Sequence, residues 1–321
     1  MKKILSVVLA VLMVVSLAAC GASGNKAADK DTFRIGICQL VQHQALDAAT
    51  QGFKDALVEA FGDKVSFDEQ NASGDSANCS TIVNGFVSDK VDLIMANATA
   101  PLQAAAAATS EIPVLGTSVT DYSSALDISD WSGTVGGNIS GTSDLAPLED
   151  QAKMIQEVFP DAKNIGLLYC SAEANSVFQV NQVSELLKAA GLNPTLFSFT
   201  DTNDVAAVTQ TACDQSDVIY IPTDNTAASN TEAIANIVLP AGVPVVCGEE
   251  NLCAGCGVVT LSIDYYDLGF VTGQMAASIL KGEENISSMA VKTAPNVTKK
   301  FNAANCEALG VSVPADYVAI G

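Results

Sequence analysis

The sequence Asn-Ile-Gly-Leu-Leu-Tyr-Cys-Ser-Ala-Glu-Ala-Asn-Ser occupies positions 164–176, and a helical apolar pattern follows it at 177–190. The apolar run 165–169 predicts a strand that is buried on both faces, as in a parallel sheet covered by helices. Four side chains that cap helices or bind small ligands come directly after this strand: Ser171, Glu173, Asn175 and Ser176. In open α/β sheets, ligands bind beyond the carboxyl ends of the strands. The stretch therefore predicts a ligand site at a strand end.

Strands and helices alternate on both sides of this stretch, and the spacing predicts βαβ units in parallel sheets. Before it, the pattern predicts strands at 33–40, 65–69, 91–96 and 112–117, and helices at 45–61, 79–88 and 100–109. After it, the predicted strands are 195–198, 218–222, 243–247 and 258–263, and the predicted helices are 204–214, 227–239 and 266–281. A further helix is predicted at 147–159. The alternation is lost at 122–144, which indicates a crossing between domains.

The two halves of the chain match element by element, with 33–57 against 164–187 and 91–109 against 217–235. We therefore expect an α/β fold of two doubly wound parallel-sheet lobes joined by a hinge. The expected N-terminal lobe is 33–142 plus 264–286, and the expected C-terminal lobe is 143–263 plus 287–321. Closure is expected to turn on the crossings near Gly141, Ile263 and 281–286. One large α/β domain is the alternative.

Composition excludes several classes of function. The 321 residues include 15 Lys and Arg against 36 Asp and Glu, and the net charge of −21 repels nucleic acid and anionic lipid. The single arginine, Arg34, precedes a predicted strand, so an arginine clamp on a carboxylate is not expected. No nucleophile elbow, HExxH, phosphate loop or dinucleotide fingerprint occurs in its proper context. We expect no catalysis, no metal and no cofactor.

The amino terminus carries a targeting signal. Lys2 and Lys3 precede the apolar run 4–15, and Leu17-Ala-Ala-Cys20 follows. This arrangement resembles a bacterial lipoprotein signal peptide at 1–20, with Cys20 as the lipidated residue and 21–32 as a flexible tether. It implies a lipid-anchored protein on the outer face of the cell membrane. An uncleaved membrane anchor is the alternative, although the run is short for one.

Eight further cysteines are predicted to be structural rather than catalytic. Cys38, Cys170 and Cys247 lie in apolar strands and are expected to be small buried hydrophobic residues. Cys253 and Cys256 fall between two predicted strands, which favours a local hairpin disulfide or free thiols over a redox or metal site.

Seven short motifs resemble, in the same order, a group of ABC-transporter substrate-binding lipoproteins of the tryptophan/tyrosine-receptor type. They are Gly36-Ile-Cys-Gln39, Ala45-Leu-Asp47, Gly141-Thr-Ser-Asp144, Ser171-Ala-Glu-Ala-Asn-Ser176, Pro222-Thr-Asp-Asn225, Gly248-Glu-Glu250 and Ile263-Asp-Tyr-Tyr266. The resemblance spans 33–317 and implies the type I periplasmic-binding-protein fold. It also implies delivery of a small solute, in the best-known members an aromatic amino acid, to an ABC permease. A sugar or nucleoside receptor and a sensor subunit for a membrane receptor are the alternatives.

Members of that group often carry His-Pro where this chain has His43-Gln44, so the pocket mouth is expected to differ. His43 lies in the first crevice loop, and a helix-capping or solvent-facing role is its alternative to ligand contact. Trp131 could stack on a ligand, but packing against its own lobe is the favoured interpretation.

An α-amino acid presents a carboxylate and an ammonium, and each predicts its own partners. Without arginine, the carboxylate must be bound by hydroxyls, amides and helix N–H groups, and the candidates are Thr99, Ser143, Ser171, Asn175 and Ser176. The ammonium requires acceptors, for which Asp224, Glu249 and Asp264 each end a strand. Asp264 is favoured, so Asp264→Ala is expected to abolish binding and leave the fold intact. Gln39, Thr117 and Asn225 complete the predicted site. For each of these, a helix cap or hinge hydrogen bond is the alternative.

Overall fold

The structure is a computed structural model that describes residues 32–294 and 297–321. Thr32–Gly321 forms one compact unit. The signal peptide, the lipidated Cys20 and the tether through residue 31 lie outside the described residues. The described part contains two α/β lobes, each built on its own sheet.

The first lobe is built on a parallel sheet, with strand order β11-β5-β4-β3-β1-β2. Its strands are β1 (Phe33–Gln39), β2 (Val65–Asn71), β3 (Leu93–Asn97), β4 (Val114–Val119), β5 (Ile139–Ser143) and β11 (Lys292–Thr293). Its helices are α1 (Gln44–Phe61), α2 (Ser76–Asp89), α3 (Thr99–Ala108) and α4 (Tyr122–Ala125), with a 3-10 turn at Gly62–Lys64.

The second lobe is built on a sheet with strand order β13-β12-β10-β9-β8-β6-β7. Its strands are β6 (Asn164–Cys170), β7 (Asn193–Phe199), β8 (Val218–Ile221), β9 (Val245–Cys247), β10 (Val259–Ser262), β12 (Thr298–Phe301) and β13 (Val318–Ala319). The described pairs are parallel except for β10 with β12. Its helices are α5 (Leu148–Val158), α6 (Ala174–Ala189), α7 (Val205–Cys213), α8 (Asn225–Ala228), α9 (Thr231–Ala241), α10 (Glu250–Cys256) and α12 (Ala303–Leu309). Between α10 and α12 the chain forms α11 (Tyr265–Leu280), which belongs to the first lobe.

Each sheet has an apolar core on both faces, which explains the continuous apolar runs in its strands. In β1, Ile35 and Ile37 face α1 and α11, whereas Cys38 faces α2 and α3. In β6, Leu167 and Leu168 likewise belong to two different cores. The predicted α/β fold of two lobes is confirmed. No helix of 32–294 or 297–321 combines the length and the apolar character that crossing a bilayer requires.

Helix α11 follows the second sheet in sequence but packs on the first lobe, against α1. The two helices approach so closely that a β-carbon at Gly269 would lie 1.9 Å from the carbonyl oxygen of Ala49. Only glycine permits this separation. The contact fixes where the first residues of α11 lie relative to the first sheet.

The chain crosses between the sheets after β5, after β10 and between β11 and β12. Two details differ from the expectation. The stretch 139–143 was expected to be an irregular crossing, but it forms strand β5, which pairs with β4 on one side and with β11 on the other. The first lobe was expected to end at 286, but Lys292 and Thr293 pair with Thr142 and Ser143. Since these pairings belong to the first sheet, the last crossing lies further along the chain.

Cys253 and Cys256 lie on α10 rather than in a hairpin. The eight described cysteines are all free and buried. The prediction of buried structural thiols therefore agrees with the structure, and the hairpin disulfide does not. The Cys247 thiol contacts those of Cys253 and Cys256, and burial together with these neighbours raises its pKa well above the ordinary value. A thiol with a raised pKa is unreactive at neutral pH.

Candidate functional site

A small cavity lies where the carboxyl ends of strands from both sheets meet. Its volume is about 10 Å³, which is roughly the room that one water needs. The first lobe contributes His43, Leu46, Ser118, Thr120 and Asp144. The second lobe contributes Asn175, Thr223, Asp224, Asn225, Ala228 and Glu249, and Tyr265 comes from the start of α11. Six of these residues lie within the three positions that follow a strand end, which is where an open α/β sheet places a ligand. They are Thr120, Asp144, Thr223, Asp224, Glu249 and Tyr265.

Asp144, immediately after β5, is the most unusual group in the cavity. The residue is 3% exposed. Its Oδ2 accepts a 2.9 Å hydrogen bond from the Tyr265 hydroxyl, whereas its Oδ1 is buried without a protein partner. Burial raises the pKa of Asp144, and hydrogen bonds from Tyr265 and Thr120 offset part of that rise. A buried carboxylate oxygen without a donor is costly, so a cationic donor would be strongly favoured there.

Ser118, which also lines the cavity, has an unpartnered polar atom as well. Its Oγ is buried and unpartnered, and its backbone has a φ of 53°. A serine in the left-handed region is strained, and such strain persists where the surroundings enforce it. Here the register of β4 against β5 shifts between Gly116 and Val119. The irregularity thus coincides with the residue of β4 that lines the cavity.

Two acidic side chains from the second lobe line the cavity as helix caps. Asp224 caps α8 by accepting from the Ala227 amide at 2.8 Å, and it also accepts from the Cys170 amide at 2.6 Å. Glu249 caps α10 through the amides of Asn251 and Leu252. Burial, and for Asp224 also the nearby Glu173, raises the pKa of both to about 7. Burial outweighs the stabilising N–H donors.

A chain of hydrogen bonds crosses from one lobe to the other. The Glu173 carboxylate accepts from the backbone and side-chain N–H groups of Asn225 at 3.1 and 2.6 Å. It also accepts from the amide and hydroxyl of Thr226, both at 2.8 Å. Asn225 Oδ1 then lies 3.2 Å from Nε2 of His43, which belongs to the first lobe. His43 and Asn225 thus join the two lobes at the edge of the cavity.

The predicted site residues divide into two groups. Four of them line the cavity: Asn175, Asp224, Asn225 and Glu249. Ser176 is fully buried next to them, where it hydrogen bonds to Asp224 and accepts from the Asn175 amide. Asn175 itself is held by the Thr223 carbonyl at 3.0 Å.

The structure places the remaining predicted residues outside the cavity lining. Gln39 bonds to Asp47 at 2.7 Å and Thr50 at 2.6 Å, and Thr99 begins α3. Thr117 lies 3.2 Å from the Thr142 hydroxyl. Ser143 donates to the Thr120 carbonyl, and the exposed Ser171 donates to the Phe199 carbonyl. The hydrogen bonds of Gln39, Thr117, Ser143 and Ser171 are thus made within one lobe, and none of them is a helix cap.

The main correction to the predicted site concerns Asp264, the favoured partner of the ammonium, which does not line the cavity. It is exposed, and its carboxylate caps α11 by accepting from the Asp267 amide at 3.0 Å. The next residue, Tyr265, faces the cavity instead. Trp131 stacks on Tyr122 of its own lobe at a centroid distance of 6.4 Å and does not line the cavity.

Sequence reasoning missed Asp144, Ser118, Thr120 and Tyr265. A signal for Asp144 was present, because Gly141-Thr-Ser-Asp144 was one of the motifs that carried the resemblance. Its position at a strand end was hidden because 139–143 was not recognised as a strand. The orientation of Ser118 depends on the β4 irregularity, which apolar patterning does not encode.

The described residues contain no group of three or more ligands suited to a metal ion. The cavity instead combines acidic side chains with three buried, unpartnered atoms: His43 Nδ1, Ser118 Oγ and Asp144 Oδ1. Such a set suits a compact group that carries positive charge and several hydrogen-bond donors.

Comparisons with known proteins agree with this geometry. Residues 34–319 match the family described as ABC transporter substrate binding protein. A curated relative, the tyrosine-binding protein of Clostridioides difficile (strain R20291), is 34% identical over 294 residues, which cover 88% of this chain and 85% of the relative. The chain therefore belongs to the ABC transporter substrate-binding proteins. These proteins bind a small solute outside the cytoplasm and work with an ABC transporter.

Two solved structures describe the arrangement of the lobes. An ABC domain from Streptococcus pneumonia in complex with L-Trp is 30% identical, with a TM-score of 0.84 over 88% of this chain and 96% of that one. A ligand-free, open substrate-binding protein from Clostridium difficile is 34% identical, but its TM-score is 0.68 over 90% of this chain and 99% of that one. Over the whole chain, the superposition on the Trp complex is therefore better than the superposition on the open protein.

Proposed function

We propose that this protein binds an aromatic L-α-amino acid, tyrosine or tryptophan, between its lobes and delivers it to an ABC permease. Two relatives of at least 30% identity support an aromatic amino acid as the ligand. One is named a tyrosine-binding protein, and the other was solved in complex with L-Trp. The acidic cavity supports a ligand that carries an ammonium group.

The observation that carries this proposal is the free Oδ1 of Asp144. In the proposed complex the ligand ammonium donates to Oδ1, and Tyr265 holds Oδ2 so that the carboxyl cannot turn away. The charged pair forms out of water, where charge-assisted hydrogen bonds are strong. The Ser118 hydroxyl donates to the ligand carboxylate. A sugar carries no cation to match Asp144, Asp224 and Glu249, so we favour the amino acid.

Binding requires the lobes to move apart from the arrangement of this structure, both for entry and to make room for the bound ligand, because a cavity of about 10 Å³ does not admit an amino acid. The crossings after β5 and β10 are the proposed hinge positions, and the third is the crossing between β11 and β12. The ligand then stabilises the closed arrangement by contacting both lobes. Small-angle scattering that is identical with and without a saturating ligand would contradict this.

Isothermal titration of the purified protein with tyrosine, tryptophan and phenylalanine tests the ligand class. Two tyrosine analogues provide the matched controls: tyramine lacks the carboxylate, and 3-(4-hydroxyphenyl)propionate lacks the ammonium. We expect an aromatic amino acid to bind and the analogue without the ammonium to lose at least about 100-fold in affinity. Equal affinity for that analogue, or binding of sugars alone, would overturn the proposal.

We also place the protein on the outer face of the cell membrane, anchored through a lipid on Cys20. The signal Leu17-Ala-Ala-Cys20 behind an apolar run supports this location. Cys20→Ala should shift the protein from the membrane fraction and remove its lipid, as measured by mass spectrometry. Retention of a lipid in this variant would exclude Cys20 as the attachment site.

A further inference from the structure

His43 lies between the inter-lobe hydrogen bond and the cavity. Its Nε2 is 3.2 Å from Asn225 Oδ1, and its Nδ1 is buried without a protein partner. The ring lines the cavity that contains the unpartnered Oδ1 of Asp144. One imidazole therefore faces the opposite lobe with one nitrogen, while the other nitrogen is free to contact a ligand.

The hydrogen-bond network around Glu173 determines which nitrogen of His43 carries the proton. Glu173 receives backbone N–H groups from Asn225 and Thr226, so its carboxylate is an acceptor. The Asn225 side-chain atom 2.6 Å from Glu173 must then be the NH₂ group. This orientation leaves Asn225 Oδ1, an acceptor, facing His43. Nε2 must donate, and in a neutral ring Nδ1 then carries a lone pair.

The surroundings favour the neutral ring. Burial lowers the pKa of His43, and Asn225, Glu173 and Asp47 oppose this effect without reversing it. The carboxyls of Asp144, Asp224 and Glu249 line the same cavity and oppose this effect when charged, but none of them hydrogen bonds to Nδ1. A proton on Nδ1 would be a buried donor with no protein acceptor, which is unfavourable.

We propose that His43 is a specificity-determining residue whose Nδ1 accepts an N–H of the ligand ammonium while Nε2–H bonds to Asn225 across the lobes. The inference rests on the proposed function, because it assigns a second acceptor to the same ammonium. Asp144 supplies the charge and His43 supplies a neutral acceptor from a different loop. The pair selects a ligand with at least two N–H donors on one nitrogen. The side chain of His43 thus contacts both the opposite lobe and the ligand.

Two substitutions separate the roles of the two nitrogens. Glutamine can place its amide NH₂ near the Nε2 position, so His43→Gln keeps the bond to Asn225 and lacks the acceptor at Nδ1. Asparagine can place its oxygen near the Nδ1 position, so His43→Asn keeps the acceptor and does not reach Asn225. We expect His43→Gln to lose about 10- to 100-fold in amino-acid affinity. His43→Asn should retain more affinity than His43→Gln. The reverse order would contradict a ligand contact at Nδ1.

A direct readout is available because His43 is the only histidine in the sequence. In untagged protein with ¹⁵N-labelled histidine, the two imidazole nitrogen signals report on His43 alone. Above pH 7.5 we expect the Nε2–H tautomer, and saturation with tyrosine or tryptophan should move the Nδ1 signal in the direction of an acceptor that gains a hydrogen bond. If neither amino acid binds, the proposed function fails. If one binds while the Nδ1 signal stays unchanged and His43→Gln keeps full affinity, only the role of His43 is overturned.

Discussion

The hydroxyl of Tyr265 donates a 2.9 Å hydrogen bond to Asp144 Oδ2, which leaves Oδ1 as the unpartnered oxygen of a carboxyl that lines the cavity between the lobes. The two residues follow β10 and β5, so the bond joins two of the crossings between the sheets. Thr223 of the second lobe also hydrogen bonds to the phenol. The proposed ligand contact thus lies at the proposed hinge, where a change in the angle between the lobes would alter the position of Asp144 relative to Tyr265.

Asp144→Asn is expected to reduce amino-acid affinity by about 2–5 kcal/mol, because the ammonium loses its charged acceptor in a desolvated site. The ligand-free protein should be as stable as the wild type or slightly more stable, since a buried charge is removed. Titration calorimetry and thermal melts measure the two effects separately. Undiminished affinity would remove Asp144 from the binding site.

Asp264→Ala is the matched control, and its expected effects are the opposite. Asp264 is exposed and caps α11, so the substitution should cost about 0.5–2 kcal/mol of stability and leave affinity unchanged. This reverses the expectation from the sequence alone. Loss of binding without loss of stability would restore Asp264 as a ligand contact.

Proton release should accompany amino-acid binding near pH 7. The pKa values of Asp224 and Glu249 are raised to about 7, so these two carboxyls are partly protonated there. A bound ammonium favours their charged forms, so protons leave and affinity rises with pH through this range. The binding enthalpy should be more exothermic in Tris than in phosphate, because Tris releases more heat when it takes up protons. Equal enthalpies in the two buffers would contradict the linkage.

The stability of the ligand-free protein should fall as pH rises from about 4 to about 7. Asp224 and Glu249 have folded pKa values of about 7 against ordinary values of 3.8 and 4.5. Their contribution to the free energy of unfolding is fully present below the pKa that these carboxyls have in the unfolded state. It is lost as the pH rises through their pKa in the folded state, and it is on the order of a few kcal/mol in total. The lowered pKa of His43 acts in the opposite direction below pH 6.5, but it is a single group. Glu249→Gln should flatten the dependence, as measured by denaturant unfolding across this range.

The sequence predicted the lobes well because buried parallel strands produce continuous apolar runs, as in β6. It predicted four of the twelve residues that line the cavity, all from the second lobe, and two of them, Asp224 and Glu249, lie just beyond such runs. The remaining lining residues required information that patterning lacks. β5 contains Ser140, Gly141, Thr142 and Ser143, so it reads as a loop although each of these residues is buried. Asp264 and Tyr265 are neighbours at the start of one helix, and tertiary packing decides which of them faces the cavity.

That packing can be tested at Gly269 in α11. A β-carbon at 269 would meet the carbonyl of Ala49 at 1.9 Å, so Gly269→Ala must push α11 away from α1. We expect a stability loss of about 1–3 kcal/mol and weaker amino-acid binding, because the shift moves Tyr265 relative to Asp144.

Gly85→Ala is the matched control. Gly85 is an exposed position in α2 where a β-carbon meets nothing within 4 Å, so alanine should stabilise that helix by about 1 kcal/mol without affecting binding. Equal effects of the two substitutions would show that the contact of α11 with α1 does not position the site.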